Sequence, residues 1–72
     1  MFRGYRDIVK TNRGYVLVDS RETFDMGYET MVFKCNERGQ VDIWLDIDVA
    51  RYPTYAEMGK GHACMVDKWK EI

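Results

Sequence analysis

Proline occurs once in this chain, cysteine twice and histidine once. Each scarcity excludes something. Two cysteines, Cys35 and Cys64, are too few for a disulfide scaffold, and without a CxxC or a Cys/His cluster there is no structural zinc motif. No run is apolar enough for a signal peptide or a membrane span, so the expected setting is cytoplasmic, with reduced thiols. There is no charge of one dominant sign either. Eleven Lys and Arg stand against twelve Asp and Glu, a net charge of −1. Strong nonspecific binding to nucleic acid needs a basic field that this composition does not supply. Repeats, linkers and low-complexity tracts are missing, which leaves residues 1–72 as one domain.

What remains is rich in apolar groups. Hydrophobic residues make up 46% of the 72 positions, with two Trp, five Tyr and three Phe. That argues against disorder. A chain this short buries only about 60% of its unfolded surface. Domains of this size often rely on a metal, a disulfide or a partner chain. With the first two unsupported, self-association into a homo-oligomer is expected.

The pattern of residues predicts an α+β fold of order ββββα. Tyr5–Lys10 and Tyr15–Asp19 form a hairpin around Thr11-Asn12-Arg13-Gly14, where Asn and Gly tolerate positive φ. Arg21–Gly27 reads as irregular. Tyr28–Cys35 is a third strand, and Asn36-Glu37-Arg38-Gly39 suits a hairpin loop. Gln40–Asp48 then alternates strictly: Val41, Ile43, Leu45 and Ile47 on one side, Asp42, Trp44, Asp46 and Asp48 on the other. Such alternation marks a strand with one buried face and makes this the expected fourth strand. The simplest architecture is a four-stranded antiparallel sheet with a C-terminal helix across one face.

The helix is announced by Pro53, which ends any upstream helix, and by Thr54 and Glu57 at the spacing of a capping box. At 100° per residue, Tyr55, Met58, His62, Met65, Val66 and Trp69 share one face. Glu57, Lys60, Cys64, Asp67, Lys68 and Glu71 share the other. His62 therefore sits in the middle of the apolar stripe. Glu29 shares strand parity with Met31, Phe33 and Cys35. With that parity turned towards the helix, Glu29 and His62 face each other, as a buried ion pair or an acid–base pair. No nucleophile or metal cluster completes such a pair, so no catalytic residue, metal or cofactor is assigned. Gly59-Lys60-Gly61-His62 lacks the spacing and the following Ser or Thr of a P-loop. Its glycines are better read as places where the helix approaches the sheet closely. On the opposite sheet face, Trp44 and Tyr28 exposed together would form a partner or dimer surface.

Two blocks carry a resemblance: Glu29-Thr30-Met31-Val32-Phe33, and Arg51-Tyr52-Pro53-Thr54-Tyr55-Ala56-Glu57 with Gly61-His62 and Met65-Val66. They resemble a group of small, mostly uncharacterised bacteriophage-encoded proteins with an ETMVF-like strand and an RYxTxxEA…GHxxMV helix. The resemblance covers roughly residues 15–69 and implies a phage or prophage origin more than a mechanism. The chain departs from the pattern at Asp19-Ser20, where many such proteins have Asp-His. A two-histidine or metal chemistry is therefore not carried over, whereas Glu29 and His62 match.

Together these features predict a non-enzymatic accessory protein that binds and modulates a host or antiviral-defence protein. The alternative is an oligomeric nucleotide-binding sponge for an immune signalling nucleotide, with Arg51, Tyr52, Lys60 and His62 as its local candidates. A small hydrolase using Glu29 and His62 is the enzymatic reading and has the least behind it. The candidate binding residues are Tyr28, Glu29, Trp44, Arg51, Tyr52, Lys60 and His62.

Overall fold

The computed structural model describes residues 4–24 and 27–72. Its elements are β1 Gly4–Thr11, β2 Gly14–Glu22, β3 Tyr28–Cys35, β4 Asp46–Tyr52 and α1 Tyr55–Lys70. The strands form one antiparallel sheet in the order β1-β2-β3-β4. The α+β, ββββα architecture is as expected. Of the stretch expected to be irregular, Arg21 and Glu22 belong to β2, and residues 25 and 26 lie outside the described residues.

The first hairpin turns where Gly14 adopts φ 122°, while Thr11 Oγ1 accepts the Arg13 amide at 3.0 Å. This tight turn sets the register, with Tyr5 opposite Ser20, Asp7 opposite Val18 and Val9 opposite Val16. These residues face the helix together with Thr30 and Val32, their neighbours on β3. The core is small residues on the sheet against long ones on the helix. Val9, Val16, Val18 and Val32 pack with Met65, and Ala50, Val66 and Trp69 close the cluster. Met58 is fully buried.

The helix begins where Thr54 Oγ1 accepts the Glu57 amide at 3.1 Å, the hydroxyl half of the expected capping box. Its buried residues are Met58, His62 and Met65, and Cys64 is exposed, as the wheel requires. Its C-terminal turn is clamped to β4 by Asp48 Oδ2, which accepts from Lys68 Nζ at 2.6 Å and Trp69 Nε1 at 3.0 Å.

The fourth strand departs from expectation. Asn36 caps its own loop, its Oδ1 accepting the amides of Arg38 and Gln40. The chain does not pair at once, however. A tight turn from Ile43 to Leu45 intervenes (Leu45 N to Ile43 O, 2.9 Å) and β4 starts at Asp46. Charge and size explain the shift. Continuing straight from the expected four-residue loop, with Cys35 opposite Gln40, would set Asp46 opposite Glu29, two like charges facing on adjacent strands. The observed register sets Arg51 opposite Glu29, and small Ala50 opposite Thr30 beneath the helix. Ile43, Leu45 and Ile47 are left at the surface instead of buried, beside Trp44, whose exposure is as expected.

The face assignment of β3 is also the reverse of the expected one. Tyr28, Thr30 and Val32 face the helix, whereas Glu29, Met31, Phe33 and Cys35 face away. That second face has a smaller core of Leu17 and Phe33, on which Trp44 packs edge-on with ring centroids 4.9 Å apart. Partial burial pushes the Cys35 thiol above its ordinary value.

Two predictions follow from the helix seat. A Cβ at Gly61 would land on the Tyr52 ring, whereas one at Gly59 would lie 3.3 Å from the movable Tyr5 hydroxyl. In urea titrations, Gly61→Ala will lose roughly 1–3 kcal/mol to overpacking. Gly59→Ala will be neutral or gain up to about 1 kcal/mol of helix propensity. The second concerns acid. Burial opposes ionisation of Asp48, but the hydrogen bonds from Lys68 and Trp69, the Lys68 charge and the Val49 amide outweigh it. They hold the carboxyl below its ordinary range. A depressed folded value stabilises the protein above the unfolded value of about 3.9, and the contribution is lost as pH falls through the folded one. Below about pH 4 the wild type will therefore lose stability more steeply than Asp48→Asn. Parallel curves for the two proteins would show that Asp48 has no such role.

Candidate functional site

The single histidine occupies a polar chain that crosses the helix–sheet interface. His62 is 5% exposed. Its Nε2 lies 2.7 Å from Asp7 Oδ2, and its Nδ1 lies 2.5 Å from Ser20 Oγ. Ser20 Oγ is in turn 2.5 Å from Thr30 Oγ1. A carboxylate only accepts, so Nε2 carries a proton and donates to Asp7. In the neutral ring Nδ1 then accepts from the Ser20 hydroxyl, which accepts from Thr30. Protonation of the ring would reverse the direction of the hydroxyl chain without breaking it. Both ring nitrogens are satisfied in either state, which is what a buried imidazole requires.

Asp, His and Ser in this order resemble a nucleophilic triad in composition. The accessibility is wrong for one. A nucleophile must be exposed to its substrate, with room for an oxyanion beside it. Ser20 and Thr30 are both 0% exposed, sealed beneath the helix. Asp7 is the solvent end of the chain, with its side chain 56% exposed. The arrangement holds the helix in place.

Around the helix N-terminus lies a group of tyrosines. Tyr5 packs against Tyr55 and the His62 ring, and Tyr28 meets Tyr55 edge-on. A hydrogen bond with Tyr55, and its charge when ionised, push the Tyr5 phenol above its ordinary value.

The seven candidate binding residues fall in separate places. Tyr28, Tyr52 and His62 are on the helix side of the sheet, and Lys60 is exposed on the helix itself. Glu29 does not face His62; it lies on the far face, 3.5 Å from Arg51. Trp44 is on that far face as well, over Phe33, and so does not share a surface with Tyr28. Arg51 lies with Glu29 on the far face, across the sheet from Tyr52 and His62. Among the described residues, no three His, Cys, Asp or Glu side chains gather as a metal-holding group, and no helix is long and apolar enough to cross a membrane.

Two features escape a reading by residue type alone. Asp7, Ser20 and Thr30 look unremarkable along the chain, but the hairpin register puts Asp7 and Ser20 on the valine face, where polar groups need partners. The other is the surface run Ile43, Trp44 and Leu45, exposed by 71%, 61% and 68%. A groove lined by Lys34, Cys35, Asn36, Gln40, Asp42 and Ile43 runs beside it. On the same face Asp19 is buried, its Oδ2 held by Arg6 at 3.2 Å and by Arg21.

Comparison with protein-family models, curated proteins and solved structures finds no match to this chain.

The histidine chain makes a ranked prediction. Ser20→Ala removes the link between His62 and Thr30 in a fully buried place, and will lose about 1–3 kcal/mol. Asp7→Ala touches the exposed end and will lose less than about 1 kcal/mol. Chemical denaturation of the two variants side by side checks the order, and equal losses would mean the chain does not act as drawn.

Proposed function

We propose that this protein is a non-enzymatic, phage-type accessory protein that binds and modulates a host or antiviral-defence protein. The observation that carries the reading is the exposed run Ile43-Trp44-Leu45. Three consecutive large apolar side chains stand in solvent on a domain with little core to spare. An exposed apolar patch of this kind, centred on a tryptophan, is the ordinary make-up of an interface hot spot. Trp44 is also pre-positioned by its edge contact with Phe33. Little of its side-chain freedom is then left to be lost on binding.

The histidine chain supports the non-catalytic part of the reading. It is the one Asp-His-Ser arrangement among the described residues, and its hydroxyls are sealed. The separation of Arg51 from Tyr52 and His62 across the sheet leaves the nucleotide alternative without a gathered set of ligands.

Expression of the tagged chain in a bacterial host, followed by identification of what co-purifies, tests the reading. Trp44→Ser is expected to weaken the identified complex by about 30-fold, as a hot-spot loss of about 2 kcal/mol requires. His62→Gln, provided it folds, is expected to leave affinity unchanged. Undiminished affinity in Trp44→Ser would remove the proposed surface. Turnover of any substrate that is abolished in His62→Gln would remove the non-enzymatic reading.

A further inference from the structure

We propose that the cleft at the C-terminal end of α1, between the helix and the sheet, binds a small organic anion: a single ring or short alkyl chain carrying one carboxylate. The site is on the helix side of the sheet, away from Trp44, and does not depend on the Trp44 loop having a partner. Val16, at 4% exposure, belongs to the core, and Trp69 packs against that core at its end. Between Trp69 and the hairpin turn at Arg13 opens a cleft of about 280 Å³. Ligand pockets commonly run about 300–1,000 Å³, so this one suits a guest of the smallest class.

The walls are apolar and held in place. Val16, Ile47, Trp69 and Ile72 line the cleft. The Trp69 indole is kept from swinging in to fill the space, because its N–H donates to Asp48 Oδ2 at 3.0 Å. Ile47, which the shift of β4 leaves 48% exposed, supplies a further wall. A site shaped before its guest arrives loses little freedom on binding.

The charge at the mouth has one sign. Arg13 stands in the first turn, and Lys34 lies opposite Val16 and so on the helix side of β3. Both are exposed, and neither has an ion pair among the described residues. No Asp or Glu side chain lines the cleft. Asp48, which holds Trp69, is itself paired with Lys68 at 2.6 Å. An apolar body fits the walls, and a carboxylate head answers the two cations with charge-assisted hydrogen bonds.

Two other clefts give the comparison. The groove beside the Trp44 loop includes Asp42, and the one between Arg6 and Arg38 includes Asp7. In each, a carboxylate stands among the cations and opposes an anionic guest. Lys34 borders the Trp44 groove as well, so the test has to separate the two places.

The test is a titration of the isotope-labelled full chain with phenylacetate and with hexanoate, read by the shifts of its N–H resonances. Saturable shifts are expected at the Val16 and Ile47 amides and at the Trp69 indole. The uncharged analogue phenylacetamide is expected to bind at least about 10-fold more weakly than phenylacetate. Acetate, which has the head without the body, is expected to give no saturable shift at Trp69. Arg13→Glu and Lys34→Glu change exposed side chains, and each is expected to weaken phenylacetate at least about 10-fold. Trp44→Ser is expected to leave it unchanged, so failure of this site and failure of the loop's partner are read separately. No saturation by either carboxylate up to millimolar concentration would overturn the proposal. So would equal binding of phenylacetamide, undiminished binding in both charge reversals, or saturable shifts confined to residues 36–43.

Discussion

The fold depends on how one imidazole is housed. A helix lying on four valines could rotate or slide with little change in apolar contact, since such contact is not directional. The His62 chain removes that freedom. Burying a polar ring without partners would be strongly unfavourable, so α1 is favoured where Nδ1 meets the sealed Ser20 hydroxyl and Nε2 reaches Asp7 at the solvent end. Those partners lie on β2 and β1, and Thr30 extends the chain to β3. One side chain thereby ties the helix to three strands. At the other end, Asp48 ties the last helical turn to β4 through Lys68 and Trp69. Between the two tethers Met58 and Met65 fall over the valine face, and Gly61 lets the helix come down onto the Tyr52 ring.

Elements whose signals are local were legible in the sequence. The first hairpin has its turn chemistry at Thr11–Gly14, β3 has dense β-branched and aromatic content, and the helix has a cap and a 3.6-residue stripe. The sheet-and-helix class follows from these. Two things were not legible, and both depend on partners far along the chain. The face of β3 that meets the helix could not be chosen from β3 itself, because both of its parities are largely apolar: Met31, Phe33 and Cys35 on one, Tyr28, Thr30 and Val32 on the other. The choice is made by β2, whose Val16, Val18 and Ser20 share a face with Val32 and Thr30. The polar residues Ser20 and Thr30 are on the buried face because His62 needs them there. A reading that sorts faces by hydrophobicity alone assigns Glu29 to the wrong one.

The register of β4 is the second. Alternation over Gln40–Asp48 is a strong local signal, and it loses to charge and size across strands. Arg51 against Glu29 and Ala50 under the helix are available only when the strand slides five residues onward. The displaced segment then carries its apolar residues at the surface. Disagreement between local pattern and final structure tends to collect at functional places, because selection for stability alone would resolve it. Here the disagreement is concentrated in residues 43–49, where the loop apex holds Trp44 and the strand edge holds Ile47 and Val49.

That concentration links stability to binding. In a chain of 72 residues, each large apolar side chain left outside is one withheld from a core that is barely sufficient. The sheet tolerates the loss because its inner face is fixed by the histidine and aspartate tethers, not by β4's aliphatic groups. β4 holds its place through Asp48, Ala50 and Arg51. Ile47 and Val49 remain half-exposed beside these anchors. Along one seven-residue strand, Asp48 and Ala50 turn to the helix and Arg51 to Glu29 on the far face, so the contacts that hold the domain together are made without drawing on the exposed Trp44 loop.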